Sequence, residues 1–315
     1  MTAEKPSQPP ESERNSKSEF IAKLESRWSK GNFVCAGLDS AFSQIPQTIK
    51  DATPTKRLVG NAIVNTHIED VIFKFNQPVI DATADLVCAY KLNSAFYEAQ
   101  GDQGDRALAK TIKYIKEKYP DIPVILDAKR GDIGNTNLGY IESAFDRIRA
   151  DAITVNPLLG KEALQPFLDR KDKGIIVLAK TSSPGSGEFQ DLYVSSSKRS
   201  LGGIVRLYEY IANQVANEWN ENGNCALVVG ATYPAELAKV RKIVGDMPIL
   251  LPGIGAQGGE VEATVKAGKD SRNMGMIINS SRGIIFASNG PDFAEAARAA
   301  LLKLKEEINR YRDST

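Results

Sequence analysis

Histidine is nearly absent: the 315 residues contain only His67. A multi-histidine metal site therefore cannot be built. His67 lies in a helical-looking stretch, AIVNTHIEDVIFKF, and is expected on a helix surface or in helix packing rather than as the base of a Ser-His-Asp relay. The three cysteines, Cys35, Cys88 and Cys225, are far apart and embedded in apolar runs, with no CxxC or Cys/His cluster. That spacing suggests neither a zinc site nor a disulfide framework, and buried reduced thiols are expected instead. An excess of one charge is also missing, with 40 Lys plus Arg against 39 Asp plus Glu. This balance argues against nucleic-acid binding over a broad basic face. No apolar run reaches membrane-spanning length. The first residues, MTAEKPSQPPESERNSKSEF, lack the apolar core of a secretory signal. Residues 1–18 are expected to form a disordered polar extension, and the protein is expected to be cytoplasmic.

What is present is a repeat of short apolar runs and longer amphipathic segments. After an expected helix around residues 20–29, β-like runs fall at 33–38, 86–92, 123–129, 152–155, 174–180, 225–230, 248–253 and 274–279. Between them, segments such as RALAKTIKYIKEKY and VRLYEYIANQVANEW repeat apolar residues at helical spacing. Strands alternating with helices imply parallel βαβ units, and about eight of them close a barrel. The expected fold is a single (β/α)8 TIM barrel over 19–315. A doubly wound open sheet is the competitor, but no GxGxxG follows the first strand to bring a dinucleotide with it.

Polar residues collect where a barrel places its active site, at the C-terminal strand ends. Asp39 follows the first strand, Lys91 and Asn93 end the second, and Asp127, Lys129 and Asp132 mark the third. Strand alternation puts Asp127 and Lys129 on one face, with Lys91 on the neighbouring strand. Such charges in apolar strands require one another. Spacing alone leaves two readings: an ion-pair network that plugs the barrel, or a catalytic cluster.

The run Asp127-Ala-Lys129-Arg-Gly-Asp132-Ile133-Gly-Asn-Thr136 resembles the signature D-x-K-x-x-D-I-x-x-T of the orotidine 5′-phosphate decarboxylase family. AGLDS, YKLNSAFYEAQG, KTSSPGS, VVGAT, PGIGAQGG and SRG follow in the family's order, from about Asn32 to about Ala287. DAKRGDIGNT, TVNPLLG and KTSSPGS are more similar to the longer bacterial and protozoal branch than to the fungal one. The resemblance implies a decarboxylase that converts orotidine 5′-monophosphate to UMP with no cofactor. Lys91, Asp127, Lys129 and Asp132 would form its Lys-Asp-Lys-Asp tetrad, with Lys129 protonating C6 and Asp127 beside the substrate carboxylate. Asp39 and Lys91 would hold ribose hydroxyls, with Asn93 nearby, and Ser182 would touch the pyrimidine amide. Gln257 and Arg282 would grip the phosphate. A homodimer is implied, with Asp132, Ile133 and Thr136 reaching the partner subunit's site.

The segment from Thr181 to Ser200 is long for a βα connection, and its Ser/Gly content suits a lid as well as plain surface slack. Three rivals remain: an Mg²⁺-dependent sugar-phosphate decarboxylase with the same strand motif, a Schiff-base aldolase using Lys129 or Lys180, and a non-catalytic phosphate-ligand sensor.

Overall fold

The computed structural model describes residues 18–59, 62–195, 203–254 and 260–314. The polar segment 1–17, most of the expected extension, lies outside them. Eight parallel strands close into a barrel. They are β1 (Val34–Gly37), β2 (Val87–Asn93), β3 (Val124–Arg130), β4 (Ala152–Val155), β5 (Gly174–Lys180), β6 (Cys225–Val229), β7 (Ile249–Pro252) and β8 (Met276–Ser280). Each of these lies within one residue of the expected run or inside it. Their order round the barrel is the order of the chain, and β8 pairs back onto β1 through Val34 and Ile278. Strands such as VCAG and AITV are buried along their whole length, as parallel strands covered by helices must be.

One end of this barrel is plugged. The helix Glu19–Trp28 starts at Ser18, whose hydroxyl accepts the Ile21 N–H, and it buries Phe20, Ile21, Leu24 and Trp28. Phe20 packs against the first residue of β5: a Cβ on Gly174 would come within 2.2 Å of its ring. Lys23 and Lys116 both reach Asp151, just ahead of β4, at 3.2 and 2.5 Å. Arg27 donates to the carbonyls of Val87 and Ala84. These contacts seal the N-terminal strand ends and leave the C-terminal ends open for a site.

Two hairpins depart from the expectation. Lys56–Val59 and Ala62–Asn65 pair antiparallel, so the stretch read as helical from residue 62 begins its helix only at His67. The run AIVN is too short to separate a period of two from a helical one, which is why the pattern misled. Tyr193–Ser195 pairs with Ile204–Arg206 in the same manner, so Val205 and Arg206, expected in a helix, precede the one that starts at Leu207. All three cysteines are buried and unpaired.

Candidate active site

Asp127 lies at the centre of the open end. Its Oδ2 is 3.1 Å from Lys91 Nζ, and its Oδ1 accepts from Lys129 Nζ at 2.7 Å and Thr154 Oγ1 at 2.9 Å. Burial opposes its charge, but Lys91 and Lys129 outweigh burial and hold the carboxyl down at about 2. Burial likewise opposes the Lys91 ammonium, yet Asp39 and Asp127 raise its pKa above the ordinary lysine value. Asp39 Oδ1 faces Lys91 Nζ at 3.4 Å and accepts the Asn93 N–H at 3.2 Å. Beneath them, burial pushes the Cys35 thiol up to about 12, which keeps it an inert neutral group.

Lys129 reaches this cluster from an irregular stretch of β3 rather than from a regular strand. Leu126 pairs with Ile153 and Arg130 with Val155, so four residues of β3 advance against two of β4. Lys129 lies in this bulge with φ of +48°, a conformation rare for a side-chain-bearing residue. Its N–H is held by Thr154 Oγ1 at 2.9 Å.

Asp39, Lys91, Asn93, Asp127, Lys129, Ser182 and Arg282 line one cavity of about 420 Å³, a size suited to a small ligand. Arg282 opens a short helix, Arg282–Ile285, just past β8. Ser182 sits tight against the neighbouring strand end: a Cβ on Gly230 would lie 2.7 Å from Ser182 Cα. Gln257 lies outside the described residues.

Asp132, Ile133 and Thr136 do not line this cavity. Their turn leaves the barrel, where Ile133 is 63% exposed. Asn137, fully buried, accepts the Asp132 N–H at 3.0 Å and donates to the carbonyls of Asp132 and Ala163. Asp132 Oδ1 accepts the N–H of Ile133 at 2.7 Å.

Thr154 was not among the expected site residues. It is the one hydroxyl in the buried strand AITV, and a polar atom there needs a partner. Gln44 and Phe96 also line the cavity without having been expected, together with Asn279 and Ser281 of the polar run NSSRG at the end of β8. Among the described residues no group of three or more His, Cys, Asp and Glu side chains is arranged to hold a metal ion.

The barrel and this site define a β/α-barrel enzyme whose open end carries a small cavity over a lysine–aspartate cluster. The profile of the family described as "Orotidine 5'-phosphate decarboxylase / HUMPS family" matches residues 73–300. A relative named orotidine 5'-phosphate decarboxylase from Cellvibrio japonicus is 45% identical over 291 residues, spanning 92% of this chain and 98% of its own. Another of that name from Azoarcus sp. is 45% identical over 93% of this chain and 99% of its own. The Leishmania donovani OMP decarboxylase structure superposes with a TM-score of 0.75 at 36% identity, covering 94% of this chain and 99% of that one. The chain belongs to the orotidine 5′-phosphate decarboxylase / HUMPS family.

Proposed function

We propose that the chain decarboxylates orotidine 5′-monophosphate to UMP and CO₂ in pyrimidine biosynthesis, without a metal or organic cofactor. The observation that carries this reading is the contact chain Lys91–Asp127–Lys129, two ammonium groups on one carboxylate at a small-ligand cavity. It occurs in a chain whose near full-length relatives bear that enzyme's name.

Breaking the bond between C6 and the carboxylate leaves an electron pair in an in-plane orbital at C6, with no adjacent π system to receive it. The Lys129 ammonium stabilises this pair electrostatically, and more strongly where the ligand excludes water. A proton then passes from Nζ to C6, CO₂ departs, and the neutral amine regains a proton from solvent. Asp127, ionised down to about pH 2, helps to hold the Lys91 ammonium charged and stands beside the substrate carboxylate. Its repulsion of that carboxylate is relieved as CO₂ leaves, a smaller contribution than stabilisation of the carbanion.

Asp39 and Lys91 hold the ribose hydroxyls, with Asn93 next to them. Ser182 meets the pyrimidine amide, and Arg282, with Gln257, takes the phosphate, where a guanidinium fork matches the oxygens. Phosphate binding, remote from the broken bond, orients the ring.

The working unit is a twofold dimer, with Asp132, Ile133 and Thr136 completing the partner subunit's cavity. Two features support this: the three lie outside their own chain's cavity, and their turn shares a surface with exposed apolar residues. Leu138, Leu158 and Leu159 are 56, 74 and 52% exposed there, a patch that dimer burial would remove from water. A cytoplasmic setting fits the buried free thiols. No helix among the described residues is long and apolar enough to cross a membrane.

The test follows the absorbance of orotidine 5′-monophosphate in the presence of the protein, before and after exhaustive dialysis against EDTA. Equal rates support the proposal. Activity lost to EDTA and restored by Mg²⁺ would favour the sugar-phosphate decarboxylase reading instead.

A further inference from the structure

The lysine that ends β5 does not face the cavity. Leu178 lines it, and strict alternation would put Lys180 on the same face. The pairing with β6 slips, however: Val228 pairs with Leu178 and the next residue, Val229, with Lys180. Ala179 is thus an extra residue, and a bulge of this kind re-aims the side chain that follows. Lys180 ends 1% exposed. Its Nζ is 2.8 Å from Asp191 Oδ1 and lies over two rings, 4.7 Å from the centre of Tyr233 and 5.9 Å from that of Tyr208. One carboxylate and two aromatic faces cage this cation.

Asp191 closes the segment that opens immediately after Lys180. Gln190 ties the same ends together, accepting the Thr181 N–H at 2.8 Å and donating to Thr181 Oγ1 at 3.1 Å. Tyr233 donates to the Ser183 carbonyl at 3.2 Å. The result is a compact loop joined at its base, whose first two residues, Thr181 and Ser182, line the cavity. Phe189 on this loop and Leu192 just past it are 64 and 52% exposed, so their own burial does little to fix it. The polar ties at its base set its position.

We propose that Lys180 is a positioning residue: its ion pair with Asp191 places Thr181 and Ser182 and so sets affinity for the base half of the nucleotide, not the rate of the chemical step. This rests on the decarboxylase reading above, with Ser182 at the pyrimidine. Removing Asp191 leaves the buried Lys180 ammonium unmatched, and removing Lys180 releases the partly exposed Asp191 carboxylate from the base of the loop. The loop then shifts, and contacts made equally in ground and transition states weaken, which raises KM and spares kcat.

The test compares Lys180→Met, Asp191→Asn and the double variant Lys180→Met/Asp191→Leu with wild type. The single variants should raise KM for orotidine 5′-monophosphate about tenfold while kcat stays within about threefold. UMP binding, measured by calorimetry, should weaken in parallel with KM, whereas ribose 5-phosphate, which lacks the base, should bind as before. The double variant leaves no unmatched charge, so it should melt near wild type yet keep the raised KM; it also carries the test if Lys180→Met does not fold. Unchanged KM and UMP affinity in folded variants overturns the proposal. So does equal weakening of ribose 5-phosphate, which signals general loosening. An inactive wild type refutes the decarboxylase reading instead, while UMP against ribose 5-phosphate binding still judges the loop without turnover.

Discussion

Lys129 Nζ meets Asp127 Oδ1 at 2.7 Å across a break in β3, with the lysine held at φ of +48° in a bulge. A regular strand would also place both side chains on one face. The bulge adds a change of direction that lifts the ammonium towards the mouth, where its side chain is 47% exposed while that of Asp127 is 11%. One member of the pair thus points at incoming ligand and the other anchors it. Backbone strain at such a point persists only where its surroundings enforce it, and here the Thr154 hydroxyl bridges the Lys129 N–H and the Asp127 carboxylate.

That bridge gives the first prediction. Thr154→Val keeps the volume of the side chain but removes the hydroxyl, leaving the Lys129 N–H without its acceptor. Stability should fall by about 1–3 kcal/mol, the usual cost of an unsatisfied polar group. The rate kcat should drop about tenfold as Lys129 loses its fixed position. Thermal melts and steady-state kinetics on the same preparation check both, and an unaltered kcat would show that Lys129 does not need the bridge.

Lys129→Ala and Gln257→Ala should fail differently. The lysine charge matters most when the electron pair forms at C6, so its removal should lower kcat by roughly 10³-fold or more. Gln257 is assigned to the non-reacting phosphate, so its loss should raise KM with a much smaller change in kcat. Equal collapse of kcat in both variants would contradict the assigned roles.

Acid stability follows from Asp127. Its carboxyl is held at about 2 in the fold, against about 4 in an unfolded chain. A depressed carboxyl contributes stability that is complete above the unfolded value and fades as pH falls through the folded one. The contribution at neutral pH is about 2–3 kcal/mol. Lys91 is shifted upward, so its share is lost only in strong base. The gap in stability between wild type and Asp127→Asn should therefore be constant above about pH 5 and shrink between about pH 4 and 2. Denaturant melts across that range measure it, and a constant gap throughout would show that the carboxylate is not held ionised by its lysines.

The strand runs and their order were legible in the sequence because parallel strands buried on both faces are near-continuous apolar runs, as in AITV and GIIVLAK. The cavity residues Asp39, Lys91, Asp127 and Lys129 were legible for a related reason: charge beside such runs is costly unless used. The hairpins were not, since Ala62–Asn65 is four residues long and fits either period. The bulges in β3 and β5 were also hidden. No residue type at Ala128 or Ala179 announces them, and they arise from register against the next strand. Lys180 shows the consequence: alternation alone would place it beside Leu178 in the cavity, and only the slipped register turns it towards Asp191.

Sharing of sites across a dimer has the most demanding test. Asp132 lies outside its own chain's cavity, in a turn pinned by Asn137 and flanked by the exposed Ile133 and Leu138. In a twofold dimer the exchange is reciprocal, so each cavity borrows from its partner. Lys129→Ala and Asp132→Ala chains should each be inactive alone. After subunit exchange, a mixed dimer has one cavity carrying both defects: Ala at 129 in its own chain and Ala at 132 from the partner. Its other cavity carries neither. Random exchange of equal amounts makes about half of the dimers mixed, and half of their sites are intact, so activity should return to about a quarter of wild type per site. Native mass spectrometry confirms the exchange independently. Exchange without recovery would mean that Asp132 serves its own subunit, and that the turn moves to bring it there.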